Sequence, residues 1–148
     1  MDLKTILLPE RTLRCASCQS KKRTIEELSK IFSETLAGPS EHEIFDAFIE
    51  RERLGSTGLG DGIGIPHCRL AACKQPTGVL LLLETPIDFD SLDKQKVDLV
   101  FALIVPQEAN DEHLDILATI AGKFSSPEFR DKLRSTTTDS ELFRAITD

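Results

Sequence analysis

The sequence predicts a single α/β domain built on a mixed sheet, and two observations carry that reading. Two continuous apolar runs, GVLLLL and LVFALIV, have strand length and no alternation, the pattern of central strands covered on both faces. On either side of them, apolar residues recur at helical spacing, so the order is helices, strands, helices, which suits one layered domain. A length of 148 residues fits one such unit, and residues 1–148 read as one domain without repeat, low-complexity tract or linker. A chain of this size buries roughly 70% of the surface its unfolded form exposes.

The elements follow in order. RTLRC, residues 11–15, is a candidate short strand. SKKRTIEELSKIFSETLAG is a helix: Ser20 can cap its start, Ile25, Leu28, Ile31, Phe32 and Leu36 share a face, and Gly38-Pro39 closes it. SEHEIFDAFIERERLG is a second helix. Ser40 and Glu43 have the spacing of a capping box, Ile44, Phe45, Phe48 and Ile49 form the buried stripe, and Gly55 stops it. Residues 55–66 read as a loop ending in a short extended piece. The two apolar runs follow, joined by the polar turn region PIDFDSLDKQK. NDEHLDILATIAGKFSS is a third helix, capped by Asn110 or Asp111, with Leu114, Leu117, Ile120 and Phe124 inside. PEFRDKLRS and TDSELFRAIT are two short helices, the second with a capping box at Thr138 and Glu141.

Charge narrows the function. The net charge of −7 argues against general nucleic-acid binding, which needs excess base to neutralise phosphates. The apolar runs fall far short of the ~20 residues of a membrane helix, and the N-terminus lacks the features of a signal peptide, so a cytoplasmic protein without membrane insertion is expected. Five basic residues without an acid (Arg11, Arg14, Lys21, Lys22, Arg23) form a patch that is either a solvated surface or a dock for an acidic partner or phosphate.

The chemistry concentrates in GDGIGIPHCRL. Glycines at 58, 60, 62 and 64 run into Ile65-Pro66-His67. Nucleotide fingerprints do not fit: Ile63 stands where a dinucleotide loop needs its last glycine, and a Walker loop's Gly-Lys-Ser/Thr is absent. Instead, Ile63 and Ile65 can face the core while the glycines admit another backbone. Pro66 fixes its own φ and biases Ile65 to an extended conformation. His67 is then presented at a strand end on a stiff backbone, as a metal ligand, general base or covalent nucleophile needs. Of the other histidines, His42 is expected to be solvated. His113 opens the helix after the strand ending at Pro106, and strand ends and helix starts gather at one sheet edge, where it could meet His67.

The cysteines make a rival constellation. Cys15 and Cys18 stand as strand, C-x-x-C, helix, the order of a dithiol redox site. With His67, Cys68 and Cys73 they also supply enough ligands for zinc, although the second half is not a tight pair. A reducing compartment favours free thiols packed as small apolar groups, and that is the expectation for all four.

RERLGSTGLGDGIGIPHCRL resembles the active-site signature of the mannitol/fructose-type enzyme IIA domains of the bacterial phosphotransferase system (EIIA type 2). CQSKKRTIEEL, LETPIDFDSLDKQKVDLVFALIVP and EHLDILATIAGKFSSPEFRDKL resemble its nitrogen-regulatory branch, so the likeness covers essentially the whole chain. The resemblance implies a mixed, about five-stranded sheet flanked by helices on both faces, the mannitol-type enzyme IIA fold. It implies a phosphohistidine carrier in which Nε2 of His67 accepts a phosphoryl group from a histidine phosphocarrier protein. His113 and Arg51 would assist, with Asp61 at the family's acidic position in the glycine loop, orienting His67 or Arg51. No cofactor, metal or nucleotide is implied. Two positions depart from the pattern: sugar-type members usually carry Glu where Asp61 stands, and a small residue where Cys68 stands, whose oxidation could block transfer. Regulated partners would include potassium-transport or sensor-kinase components. The alternatives are a thiol-redox or zinc protein using Cys15 and Cys18, or a sugar-specific enzyme IIA passing phosphate to a separate IIB.

Overall fold

The computed structural model describes residues 2–108 and 111–148, the side chains of residues 111–114 excepted. Six strands form one sheet: β1 (Thr12–Cys15), β2 (Gly58–Gly60), β3 (Ile63–Gly64), β4 (His67–Leu70), β5 (Thr77–Ile87) and β6 (Val97–Pro106). Their order is β1-β5-β6-β3-β2, with β4 also on β6. β5 and β6 are antiparallel, with a register shift between Leu82 and Ile87, while β1 runs parallel to β5 and both β3 and β4 run parallel to β6. β3 and β4 occupy one lane. Ile63 and Gly64 pair with Leu99 and Val100, and after Ile65-Pro66 the pairing resumes with His67 opposite Leu103. The sheet thus has five lanes, and proline, which has no N–H for the ladder, splits one of them.

Five helices cover it: α1 (Lys21–Thr35), α2 (Glu41–Arg53), α3 (Asp111–Phe124), α4 (Pro127–Arg134) and α5 (Asp139–Thr147). Their starts follow the sequence. Ser20 accepts from the Arg23 amide, Ser40 from Glu43 and Thr138 from Glu141. The caps expected at Asn110 or Asp111, and the burial of Leu114, lie outside the described residues. α1 ends at Thr35, three residues before Gly38.

The central strands divide two cores. Val79, Leu81 and Leu83 of β5 and Val100, Ala102 and Ile104 of β6 face α1 and α2, packing on Ile25, Leu28, Phe32, Ile44 and Phe48. Leu80 and Leu82, with Leu99, Phe101, Leu103 and Val105, face the other layer, on Ile120, Phe124, Leu133, Leu142 and Ile146. That is why both runs are apolar without alternation. Two single-turn 3-10 helices, Leu3–Thr5 and Pro9–Arg11, close the second core with Leu3, Ile6 and Leu7. Residues 3–11 have no periodicity, so this edge carried no sequence signal.

The glycine stretch departs from the expected loop. β2 and β3 form an antiparallel hairpin whose turn, Gly60-Asp61-Gly62, has φ of +97°, +59° and +83°. Such values suit glycine and are tolerated by Asp. The glycines admit side chains from within the domain, where a second backbone was expected. A Cβ at Gly58 would overlap Ser91, and one at Gly64 would stand 3.2 Å from the Phe89 ring. The β5–β6 connection therefore fills the space under the hairpin.

Candidate functional site

His67 is the first residue of β4, directly after the fixed φ of Pro66. Its ring is half-buried, and Nδ1 lies 2.8 Å from the Ile65 carbonyl oxygen. A carbonyl only accepts, so Nδ1 carries the hydrogen and Nε2 keeps its lone pair. Burial, chiefly, pushes the imidazole pKa below its ordinary value, and the Arg51 charge lowers it further; the Ile65 hydrogen bond and the Glu52 charge pull the other way. Burial thus favours the neutral ring, with the Nε2 lone pair free of a proton. The ring lines a cavity of about 570 Å³ with Glu50, Arg51 and Leu54 of the α2 end, Arg69 of β4 and Leu117 of α3.

Arg51 comes from the last turn of α2 and donates to the Gly55 carbonyl at 3.0 Å. Arg51 and His67 thus line one cavity. Its neighbour Glu52 was not singled out, yet it is the most connected charge nearby. Glu52 accepts from both the amide and the hydroxyl of Thr57, and pairs with Lys21 of α1 at 2.9 Å. Its side chain is 6% exposed. The Thr57 carbonyl accepts from the Ile65 amide at 3.0 Å, and the Ile65 carbonyl holds His67. A continuous path, Lys21–Glu52–Thr57–Ile65–His67, therefore runs from the start of α1 to the His67 ring. A glutamate inside the charged run ERER carries no sign of this, because the path exists only when residues 55–57 fold back on α2.

Asp61 sits elsewhere. At the hairpin tip its amide donates to Asp93, its carboxylate is 3.9 Å from Arg130, and its carbonyl accepts from Arg134. Arg134 also forks onto Asp98 with three contacts of 2.9–3.1 Å. Among the described residues Asp61 bonds to neither His67 nor Arg51, so its expected orienting role gives way to an anchoring one. His113 falls in the first turn of α3, but its side chain lies outside the described residues. His42 is exposed and pairs with Asp46.

The family description "Phosphoenolpyruvate-dependent sugar phosphotransferase system, EIIA 2" matches residues 5–148. The chain belongs to this EIIA 2 family. The nitrogen regulatory protein of Pseudomonas aeruginosa is 42% identical over 146 residues, covering 99% of this chain and 95% of that protein. That of Escherichia coli is 40% identical over 149 residues, covering 100% and 91%. The crystal structure of nitrogen regulatory protein IIA-Ntr from Neisseria meningitidis matches with a TM-score of 0.91 at 37% identity, over 98% of this chain and 99% of that one. The mannitol IIA of Escherichia coli, at 19% identity and a TM-score of 0.77, shares the fold over 95% and 98% of the two chains. Within the EIIA 2 family the chain therefore stands with the nitrogen-regulatory branch, and the members of this family are components of a phosphotransferase system.

Three expectations need correction in this EIIA 2 domain. The basic patch is largely committed to the fold. Arg11 donates to the Gly78 and Ile6 carbonyls, Arg14 to the Thr137 carbonyl, and Lys21 pairs with Glu52. The cysteines are not four thiols either, since Cys15 and Cys18 form a disulfide. The strand-to-helix turn between them brings residues three apart face to face. Cys68 and Cys73 are free and buried, and burial, with Cys73 beside it, pushes the Cys68 thiol up to about 12. A thiol held so firmly protonated is a poor target for oxidation, against the expected sensitivity of that position. Among the described residues no His, Cys, Asp or Glu cluster could hold a metal ion, so the five candidate zinc ligands do not converge. No helix among the described residues is long and apolar enough to cross a membrane.

Proposed function

We propose that the chain is a phosphohistidine carrier: Nε2 of His67 takes a phosphoryl group from a histidine phosphocarrier protein, and the charge gained governs which regulated proteins it binds. The observation that carries this is the Nδ1–Ile65 hydrogen bond on a half-buried, neutral ring. In the transfer, the N–P bond of the donor phosphohistidine breaks as the His67 Nε2–P bond forms. The proton stays on Nδ1, and its hydrogen bond to the Ile65 carbonyl offsets part of the positive charge that develops on the ring. Phosphoryl transfer is mostly positioning and charge stabilisation. Arg51 offsets the phosphoryl oxygens, and His113, in this reading, donates a hydrogen bond to them. A protein donor suits the surroundings. Leu54 at the cavity, Leu59 on the hairpin and Leu92 beside Ser91 are exposed at 85%, 52% and 97%. An apolar side chain as exposed as Leu54 at the cavity fits a protein contact.

Phosphorylation would add up to two negative charges to a chain at −7. An apolar or acidic partner would lose affinity for that face, so the unphosphorylated form is read as the binding form, with potassium-transport or sensor-kinase components among its targets. Incubation with enzyme I, phosphocarrier and phosphoenolpyruvate should give an acid-labile gain of one phosphoryl group, absent in His67→Ala. Gain at the wild-type rate in His67→Ala would overturn the assignment. Capture from lysate should recover partners with His67→Ala that His67→Asp loses, and equal recovery would refute the charge gate.

A further inference from the structure

We infer that the Cys15–Cys18 pair is a redox-modification site, switched by a dithiol reductant, whose state sets the rate at which His67 accepts phosphate. The inference rests on the carrier reading for its kinetic test. It stands on where the bridge sits and on what begins three residues later.

Cys15 ends β1, where it pairs with Leu83 of β5. Cys18 lies two residues before Ser20, the N-cap of α1. The disulfide therefore clamps the turn between a central-sheet neighbour and the first turn of α1. A bridge spanning residues 15–18 closes a very short loop and restricts less of the unfolded chain than a long-range bridge would. Global stabilisation is thus a weak reason for it, whereas local placement of the α1 start is a direct consequence. The first residue of α1 is Lys21, the head of the path described above. Its ammonium is 2.9 Å from Glu52, 3.4 Å from Asp90 and 4.7 Å from the centre of the Phe89 ring. Ser56 donates to the Phe89 carbonyl at 2.7 Å, and Phe89 fills the space over Gly64. Lys21 thus touches the His67 segment twice, through Glu52 and Thr57 and through Phe89.

The chemistry balances with an external dithiol. Cys15 is the more exposed of the two residues, at 8% against 1% for Cys18, and is taken as the point of attack. A thiolate of the dithiol attacks Sγ of Cys15, the Cys15–Cys18 bond breaks, and its electron pair leaves on Cys18, which takes a proton. The second sulfur of the dithiol then displaces Cys15, which is protonated in turn, and the reductant departs as a disulfide. Two electrons and two protons have passed to the pair. In the reduced chain the turn is released, Lys21 loses its fixed position and Glu52 holds Thr57 without its cation. Misplacing a reacting group by 1 Å can cost up to roughly 100-fold. With the effect passing through Glu52, Thr57 and Ile65, about tenfold slower phosphorylation is expected on reduction.

The experiment uses the wild-type chain, prepared with oxidised glutathione or with dithiothreitol. Alkylation after denaturation checks the state: two of the four cysteines should react in the first preparation and all four in the second. Transfer from a cysteine-free phosphocarrier is followed by rapid quench, and the His67 ring 15N shifts are recorded without phosphate. The oxidised chain should transfer about tenfold faster, with distinct ring shifts in the two states. Oxidised Lys21→Met should match the reduced wild type and ignore the reductant. Equal rates and equal ring shifts in both states would overturn the inference. So would a pair that stays as thiols under oxidised glutathione, a bridge that dithiothreitol cannot open in the folded chain, or a full redox effect in Lys21→Met. If neither state accepts phosphate, the carrier reading fails, and the ring shifts alone still decide the coupling. Circular dichroism of the reduced wild type separates a local change from unfolding, which would also overturn the inference.

Discussion

The two helical layers serve the His67 segment in different ways. From the α1–α2 side come Arg51 and Glu52, whose charges act on the imidazole, and Lys21, which pairs with Glu52 where it holds Thr57. From the α4 side come Arg134 and Arg130, and their contacts end on Asp98 and on the hairpin tip at Asp61. One layer sets the electrostatics around the His67 ring, while the other fixes the shape of the hairpin beside it. The pairing of β4 with β6 fixes the His67 backbone only, and the ring is held by the Ile65 carbonyl, whose own segment the Glu52–Thr57 contacts support.

Arg51→Ala should break this division most. Losing a charge-stabilising donor costs on the order of 100-fold in rate, or about 2.7 kcal/mol. Arg51 also lowers the His67 pKa, so its loss should move the acid limb of the rate profile to higher pH. In the wild type the folded pKa lies below the ordinary value, so the acid limb should sit at lower pH than that of an ordinary imidazole. Stability carries the same sign: the unfolded chain binds the proton first, so this contribution is whole above the ordinary pKa and is lost as pH falls through the lowered one. Quench-flow across pH 5–8 checks the rate. A wild-type rate and an unmoved limb in Arg51→Ala would remove it from the site.

Glu52→Gln sharpens the comparison by reversing one sign. It keeps the shape and removes the charge that raises the His67 pKa, so the acid limb should shift to lower pH, opposite to Arg51→Ala. It also weakens the hold on Thr57 and leaves Lys21 with Asp90 and the Phe89 ring, for about tenfold, or about 1.4 kcal/mol, in rate. Limbs that move the same way in both variants would show that neither charge acts on the ring directly.

Much of this was legible before any coordinates. Ser20, Ser40 and Thr138 announced three helix starts, the two apolar runs announced the buried strands, and Ile65-Pro66 announced a stiff approach to His67. These signals are local, and the backbone rules behind them act within a few residues. What stayed hidden depends on chain segments that meet only in the fold. The hairpin at 58–64 reads as loop because glycine has little strand propensity. It forms because Ser91 and Phe89 pack where side chains would otherwise stand. Glu52 looks like a surface charge until Thr57 folds back onto it. The Cys15–Cys18 bridge was set aside on grounds of compartment, which speaks to the usual state of thiols and not to which sulfurs face each other.

Arg134→Met tests the other layer and should have the smallest effect. Arg134 forks onto Asp98 and reaches the Asp61 carbonyl, but the side chains of the pair are 30% and 21% exposed. Water can therefore take over much of what the guanidinium supplies, and a partly solvated pair contributes about 1 kcal/mol rather than the several of a fully buried one. For a domain of this size that corresponds to a melting temperature lower by roughly 2–5 °C. The rate should change by no more than about twofold, because the hairpin tip keeps its bond from the Asp61 amide to Asp93, and the Glu52–Thr57–Ile65 path is untouched. Calorimetry and quench-flow on the same preparation read the two quantities separately. A variant that melts normally yet transfers as slowly as Glu52→Gln would show that hairpin shape reaches the imidazole directly. The division of labour between the layers would then be wrong.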